Sequence, residues 1–567
     1  MALADTIRRR LRAAQGLEPC DIVIANVRWL DVFSCTFREG DVGIADGVVV
    51  GTANLRGKRT IDGRGRFLVP GFMDAHVHLE SSLLVPESFQ RAVLPRGTTT
   101  AICDPHELAN VLGVPGIQYF LDAAERLDRG GIDLRVMVSS CVPATSFETN
   151  GAGTLDASML APLLRHPKTL GLAEVMNVPG VLNGDPLLID KLAAFDGRPL
   201  DGHAPLVRGN ALAAYACAGI TSCHESSEPG EALEKLQNGI AVWIREGSVA
   251  KDLDALAPLL TLATSTSIGF CTDDRNPLDI EHEGHLDHLV RSAIAKGVPM
   301  EVAYRAASWS VARHYGLAGP ARGGERVGAI APGFRADLVL LDDAATCAIA
   351  DVFMRGTPVA EIDLPAPHES RPVNTVRASL PEPADLVGPT GTVHVIGVRP
   401  GRILTDRHVM ASDAPGVSRL SVLERHGKGQ KPANAYVTGF GDLQGAIASS
   451  VGHDSHNLVV VGKDPRDMRS ALAALAEVGG GFVVVKDGTI VSRLALPLGG
   501  LMSLEDPATI ARALTELRAA SKAIGCILPE PFLQLAFLSL PVIPSLKLTD
   551  RGLMDVDAFE LIDVRAA

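Results

Sequence analysis

The sequence predicts an α/β protein: a (β/α)8 TIM-like barrel with a small flanking β-sandwich module and a C-terminal α+β domain. Three observations predict it. Eight apolar runs of strand length lie between residues 67 and 272, and helical patterns separate most of them. The runs are apolar throughout rather than alternating, as parallel strands buried on both faces are. Short strand-and-turn segments flank this stretch on both sides, and 567 residues exceed what one ordinary core holds.

Taken in order, residues 20–70 read as short strands closed by turn signals. Asp21–Ala25, Val27–Val32 and Val42–Gly47 are followed by Val48–Val50. The barrel runs then come as Phe67–His78, Thr98–Cys103, Leu134–Cys141, Leu170–Val175, Pro199–His203, Ile220–His224, Ile240–Ile244 and Ser267–Thr272. Helical patterns between them include Asn110–Leu127, Arg208–Ala218 and Pro229–Gln237. Val327–Leu341 returns to strand character, as expected if the chain rejoins the first β module. Pro365–Pro383 is proline-rich and reads as a linker. The expected division is 1–66 and 321–370 for the two halves of the β module, 67–320 for the barrel, and 371–567 for the C-terminal domain.

Barrel chemistry sits at the carboxyl ends of the strands. The first run ends in Asp74-Ala-His76-Val-His78, and residues two apart on a strand face the same side. The fourth run ends at Glu174, the fifth at His203, the sixth at His224 and the eighth at Asp273-Asp274. Each residue alone has a bland reading as a satisfied polar side chain. Together, at one end of one barrel, they form a ligand set of imidazole and carboxylate type. Two divalent ions fit it: His76 and His78 on the more buried, His203 and His224 on the second, Glu174 bridging, Asp273 on the buried ion. Such ions lower the pKa of water from ~16 toward ~7. Asp273 is then the expected general base and later acid. Ligand type alone leaves manganese, iron and zinc open.

Further groups surround this set. Asp104, His106 and Glu107 follow the second strand, with Glu107 the candidate for proton exchange with a ring nitrogen and Asp104 an alternative helix cap. Glu80 and Ser81 follow the metal-binding strand and read as groups supporting the ligands. Arg245 and Glu246 end the seventh strand and are expected at the substrate pocket. His453 and His456, three apart, suit metal binding but read first as a turn-capping pair beside the barrel mouth. Cys103, Cys141, Cys223 and Cys271 lie in strands and read as small core residues.

Pro70-Gly-Phe-Met-Asp-Ala-His-Val-His78 resembles the first-strand signature of the amidohydrolase superfamily. His78-Leu-Glu-Ser-Ser82, Asp104-Pro-His-Glu-Leu-Ala-Asn110, Ala173-Glu-Val-Met-Asn177 and Thr272-Asp-Asp-Arg275 are similar to the adenine deaminase family. Ser450-Val-Gly-His-Asp-Ser-His-Asn457 resembles that family's extra C-terminal domain. Many relatives in the superfamily carry a modified lysine at the fourth strand; Glu174 stands there instead and matches the adenine deaminase pattern. The resemblance implies hydrolysis of adenine to hypoxanthine and ammonia, manganese as the preferred metal with iron or zinc possible, and a homo-oligomer.

Composition narrows the partners. A net charge of −13 argues against a nucleic-acid backbone as ligand. Nine cysteines without a Cys-x-x-Cys pair suit a reducing compartment. Met1–Gly16 is basic but lacks the apolar core of a signal peptide, and no long uncharged apolar run follows, so a cytoplasmic protein with no membrane partner is expected. The small zinc deaminase signature, His-x-Glu followed by Pro-Cys-x-x-Cys, is absent. Two alternatives remain at this stage: another amidohydrolase acting on a cyclic amide or different amino-heterocycle, and a metal-binding scaffold without catalysis.

Overall fold

The computed structural model describes residues 3–52, 55–128, 130–319, 325–367 and 375–566. Eight parallel strands form the barrel: β1 (Phe72–Val77), β2 (Thr98–Cys103), β3 (Asp133–Ser139), β4 (Thr169–Val175), β5 (Leu200–Gly202), β6 (Ser222–Cys223), β7 (Ala241–Arg245) and β8 (Ile268–Cys271). They pair in sequence order, each with the next. The ring closes just past β8, where Val77 bridges Asp273 and the backbone of His76 and His78 bonds that residue. Asp74, fully buried, fastens the same seam by accepting from the Thr272 amide at 3.0 Å and from its hydroxyl. Every residue of β1, β2, β4, β7 and β8 is buried, as the unbroken apolar runs predict.

Two expected elements divide. The run Phe67–His78 is two strands, Phe67–Pro70 and β1. Pro70 lacks an amide donor, and Gly71 sits so close to β2 that a Cβ there would lie 2.2 Å from Thr99 Oγ1. The chain bends at this joint, and Phe67–Pro70 joins a different sheet. The run Asn110–Leu127 is likewise two helices, His106–Leu112 and Val114–Leu127, broken at Gly113 (φ +74°).

Phe67–Pro70 belongs to an eight-stranded branched sheet made from both flanks of the barrel. It pairs antiparallel with Leu338–Asp343 from beyond the barrel and parallel with Cys20–Asp31 from before it. The expected boundaries at 320/321 and 370/371 fall outside the described residues.

Residues 392–495 contribute a third eight-stranded sheet, mixed and mostly antiparallel. Helix Pro465–Val478 packs on it through Met468, Ala471, Leu472 and Leu475, all buried. A three-stranded sheet spans residues 546–562. This unit sits against the carboxyl-end face of the barrel: Leu84 bridges Ser503, and the Asn457 amide donates to Thr149 O at 2.9 Å. One hydrophobic cluster runs through both, joining Leu108 and Val111 to Leu498 and Leu501. Each such side chain contributes about 1.5–3 kcal/mol on burial, so the two parts behave as one packed body. Among the described residues no helix is long and apolar enough to cross a membrane.

Candidate metal centre

The strand ends bring His76, His78, Glu174, His203, His224 and Asp273 to one place. Nε2 of His76 and Nε2 of His78 lie 3.1 Å apart. Glu174 Oε1 is 2.9 Å from His78 Nε2 and 3.6 Å from His76 Nε2. Asp273 Oδ1 stands 3.1 Å from His78 Nε2 and 3.7 Å from His76 Nε2. The other oxygen, Glu174 Oε2, faces Nε2 of His224 at 3.2 Å and Nδ1 of His203. One carboxylate thus offers an oxygen to each of two ligand groups.

Electrostatics fit cations there. Burial alone lowers the pKa of His78, but Asp273 and Glu174 raise it well above its ordinary value. Burial likewise opposes the charge on Glu174, yet His203 and His224 hold it well below the usual carboxylate range. The buried acids therefore demand positive charge, which protons or metal ions supply. Nε2 of His203 and both ring nitrogens of His224 are buried without hydrogen-bond partners. Buried imidazoles left unpaired are costly, and a metal held between them would remove the cost. The residues present fit a two-ion centre of nitrogen and oxygen ligands.

A second layer orients these groups. Asp201 Oδ2 lies 2.7 Å from Nδ1 of His76 and 3.7 Å from Nδ1 of His224. His78 Nδ1 meets the Asp104 carbonyl oxygen at 3.0 Å, while the Asp104 carboxylate accepts from Ser139 at 2.7 Å and sits 3.1 Å from His106 Nδ1. Arg245 is buried against three acids: it donates to Asp273 Oδ2 at 2.9 Å, to Asp252 at 3.1 Å and to both oxygens of Glu225. Glu80 accepts from the Leu108 amide at 3.1 Å, and burial lifts its pKa to about 7. Ser81 Oγ lies 2.9 Å from Glu107 Oε1 and also bonds Asp274. Burial, then Glu80 and Asp274, raise the Glu107 pKa well above its ordinary value.

A cavity opens over this centre. His78, His106, Glu174, His203, Arg245, Asp273 and Asp274 form its polar side. Ile403, His453, Asp454, Phe537, Leu540, Val542 and Ile543 line it from the C-terminal unit. A polar floor of ligands under an apolar wall suits a small, flat, uncharged molecule.

Two expected pocket residues stand elsewhere. Glu246 is not part of the lining; its carboxylate accepts from the Leu253 amide at 3.2 Å instead. Adjacent strand residues face opposite sides, so with Arg245 turned inward Glu246 turns away. Glu107 lies one layer behind the lining, fully buried. Sequence reasoning placed Asp274 at the end of the eighth strand without a role and missed Asp201, Glu225 and Asp454 as site groups. Asp201 had a signal, since it lies on β5 two positions before His203, which follows the strand; Asp454 had none.

Comparison with known proteins adds the decisive observation. The model of the amidohydrolase family matches residues 67–359, and that of the adenine deaminase C-terminal domain matches residues 402–560. An adenine deaminase of Methylobacterium sp. (strain 4-46) is 50% identical over 99% of this chain and 100% of its own length. One from Gluconobacter oxydans (strain 621H) is 49% identical with the same coverage, and adenine deaminase 1 of Rhizobium johnstonii is 47% identical over 99% of both chains.

The chain belongs to the adenine deaminase family of amidohydrolases.

Family membership also bears out the expected fold class. The barrel with its cluster of strand-end imidazoles and carboxylates lies inside the amidohydrolase match, and His453 and Phe537 of the cavity wall lie inside the adenine deaminase C-terminal match. Cys103, Cys141, Cys223 and Cys271 are free and buried, as core residues are.

Proposed function

We propose that the protein hydrolyses adenine to hypoxanthine and ammonia. The observation that carries this reading is the split of Glu174, one oxygen toward His76, His78 and Asp273 and the other toward His203 and His224. Relatives named for adenine deamination along the whole chain support the choice of ring.

In this reading His76, His78 and Asp273 would hold one divalent cation and His203 and His224 the second, with Glu174 offering an oxygen to each. Such cations would supply Lewis acidity and lower the pKa of water toward neutral. Manganese is the proposed working metal; the ligand set, free of thiolate, also admits iron and zinc. Asp273 Oδ1 takes a proton from the attacking water and passes it to the leaving amine, while Arg245 fixes Oδ2 and keeps the carboxylate aimed. Glu107, whose buried place favours its protonated form, is the proton reserve for a purine ring nitrogen. Asp104, His106, Glu80 and Ser81 hold these groups in position. The apolar wall excludes water from the ring face. The reading extends to a homo-oligomer, a dimer or larger, serving purine salvage or catabolism in the cytoplasm.

The test is ammonia release from a panel of purines, pyrimidines and hydantoins by protein stripped with chelator and reloaded with Mn2+, Fe2+ or Zn2+. Adenine is expected to react only in the reloaded samples, with two metal equivalents bound per chain. Inert adenine beside an opened cyclic amide would overturn the substrate, and full activity of verified metal-free protein would overturn the mechanism.

A further inference from the structure

The turn Val451–Asn457 of the C-terminal unit delivers two histidines to the rear of the cavity. His453 Nδ1 stands 3.7 Å from Glu107 Oε1, and His456 Nε2 stands 3.9 Å from Glu107 Oε2. All three residues are buried, and Glu107 Oε2, His453 Nε2 and His456 Nε2 have no hydrogen-bond partner. Such a trio has the make-up of a cation site.

The hydrogen bonding of His456 speaks against a cation. Its Nδ1 accepts from the Gly452 amide at 3.3 Å, so in the neutral ring Nε2 carries the proton. A ligating histidine needs the opposite arrangement, Nδ1–H donating to an acceptor and Nε2 bare. His456 is also held at φ +52° in a turn closed by its own amide bonding Gly452 O at 2.7 Å, so its ring direction is fixed. It is therefore a donor aimed at Glu107.

His453 differs from its neighbour because it lines the cavity and Glu107 does not. Its ring stacks on Phe537, another lining residue, with centroids 4.6 Å apart and planes 16° from parallel. The nitrogen on one edge of the ring stands 3.7 Å from both Glu107 Oε1 and Asp454 Oδ1, and the nitrogen on the other edge has no protein partner.

We propose that His453 is a substrate-contacting catalytic residue: its Nε2 hydrogen-bonds a ring nitrogen of the heterocycle and its Nδ1 links that nitrogen to Glu107, which His456 positions. This rests on the function proposed above. The gaps of 3.7 and 3.9 Å are of the kind that tighten when a ligand fills the site. In the forward reaction Nε2–H gives its proton to the ring nitrogen while Nδ1 takes the proton of the Glu107 carboxyl. The consumed water supplies two protons; one leaves with ammonia and the other restores Glu107. The C-terminal unit is then part of the catalytic apparatus.

The experiment uses manganese-loaded full-length protein with His453→Ala, His453→Gln and His456→Leu. For His453→Ala, kcat/KM for adenine is expected to fall ~10²-fold, with two metal equivalents and the apparent Tm retained. His453→Gln, which keeps an amide near the Nε2 position, recovers part of the binding. His456→Leu lowers kcat more than it changes KM. Inhibition by 1-deaza-, 3-deaza- and 7-deazaadenine provides a reading independent of turnover. The analogue lacking the contacted nitrogen is expected to bind wild type and His453→Ala alike, while the other two lose ~10-fold on substitution. If all three analogues lose affinity equally, or none does, the contact is refuted. Loss of a third metal equivalent in His453→Ala would also refute it, in favour of a cation. If wild type releases ammonia only from another amino-heterocycle, the substrate reading fails, and the same variants judge His453 on that ring.

Discussion

Asp201 stands directly behind His76, its Oδ2 2.7 Å from the Nδ1 opposite the nitrogen that faces His78 and Glu174. Burial would raise its pKa, but His76 and His224 hold it well below the usual carboxylate range. The ionised oxygen fixes the tautomer that leaves Nε2 of His76 bare for a metal. Asp201→Asn is therefore expected to weaken metal affinity ~10–100-fold, measured by competition with a chromophoric chelator. Unchanged affinity would remove Asp201 from this role.

Arg245 is the cation among Asp273, Glu225 and Asp252. Burial opposes their charge, and the guanidinium offsets that cost. Arg245→Met leaves Asp273 without it, so the Asp273 pKa rises and protonation sets in at higher pH. The acid limb of the pH–rate profile is expected to move upward, with kcat at neutral pH lower by ~10-fold or more. An unmoved acid limb would show that Arg245 does not tune Asp273.

Glu148 gives a pH prediction for stability. Its Oε1 accepts from the Thr145 amide at 3.1 Å, while Oε2 is buried without a partner. Burial, then Asp454, push its pKa from 4.5 to about 8. The folded protein keeps this proton up to about pH 8, whereas the unfolded chain releases it near 4.5. Stability therefore falls as pH rises through that window, by on the order of 3 kcal/mol at pH 7. Glu148→Gln should flatten the fall: apparent Tm near wild type at pH 4.5 and above it at pH 8. Parallel Tm curves for the two proteins would contradict the assignment.

Gly71 marks the joint where the chain leaves the flanking sheet for the barrel. A methyl group there would meet Thr99 at 2.2–2.9 Å in a fully buried setting. Gly71→Ala is expected to cost about 1–3 kcal/mol, read by denaturant unfolding, and Thr99→Ala in the same chain should recover part of it. A neutral Gly71→Ala would mean that the joint yields freely.

The barrel and the clustering of its strand-end imidazoles and carboxylates were legible because their signals are local. Most parallel strands lie in largely apolar runs, so the polar residue at the end stands out, as Glu174, His203, His224 and Asp273 do. What the sequence left obscure depends on distant pairing. Nothing near His453 announces that its ring meets Glu107, 346 positions earlier in the chain. Glu246 sits beside Arg245 in the text, and only the strand's alternation decides which of the two enters the cavity. The split at Gly71 was hidden because apolar residues lie on both sides of it, Leu68 and Val69 before and Phe72 and Met73 after.

Phe67–Pro70 and its antiparallel partner Leu338–Asp343 lie on opposite sides of the barrel in the chain. During synthesis the first of them emerges with one edge unmatched, and its mate follows about 270 residues later, roughly 15–50 s at ordinary translation speeds. For that interval a nascent edge is open to mispairing with other polypeptides. Any truncation ending before Leu338 makes the vulnerability permanent, and it also bares the barrel face that packs on Leu498 and Leu501, so such a fragment exposes an orphaned strand and an uncovered apolar face together.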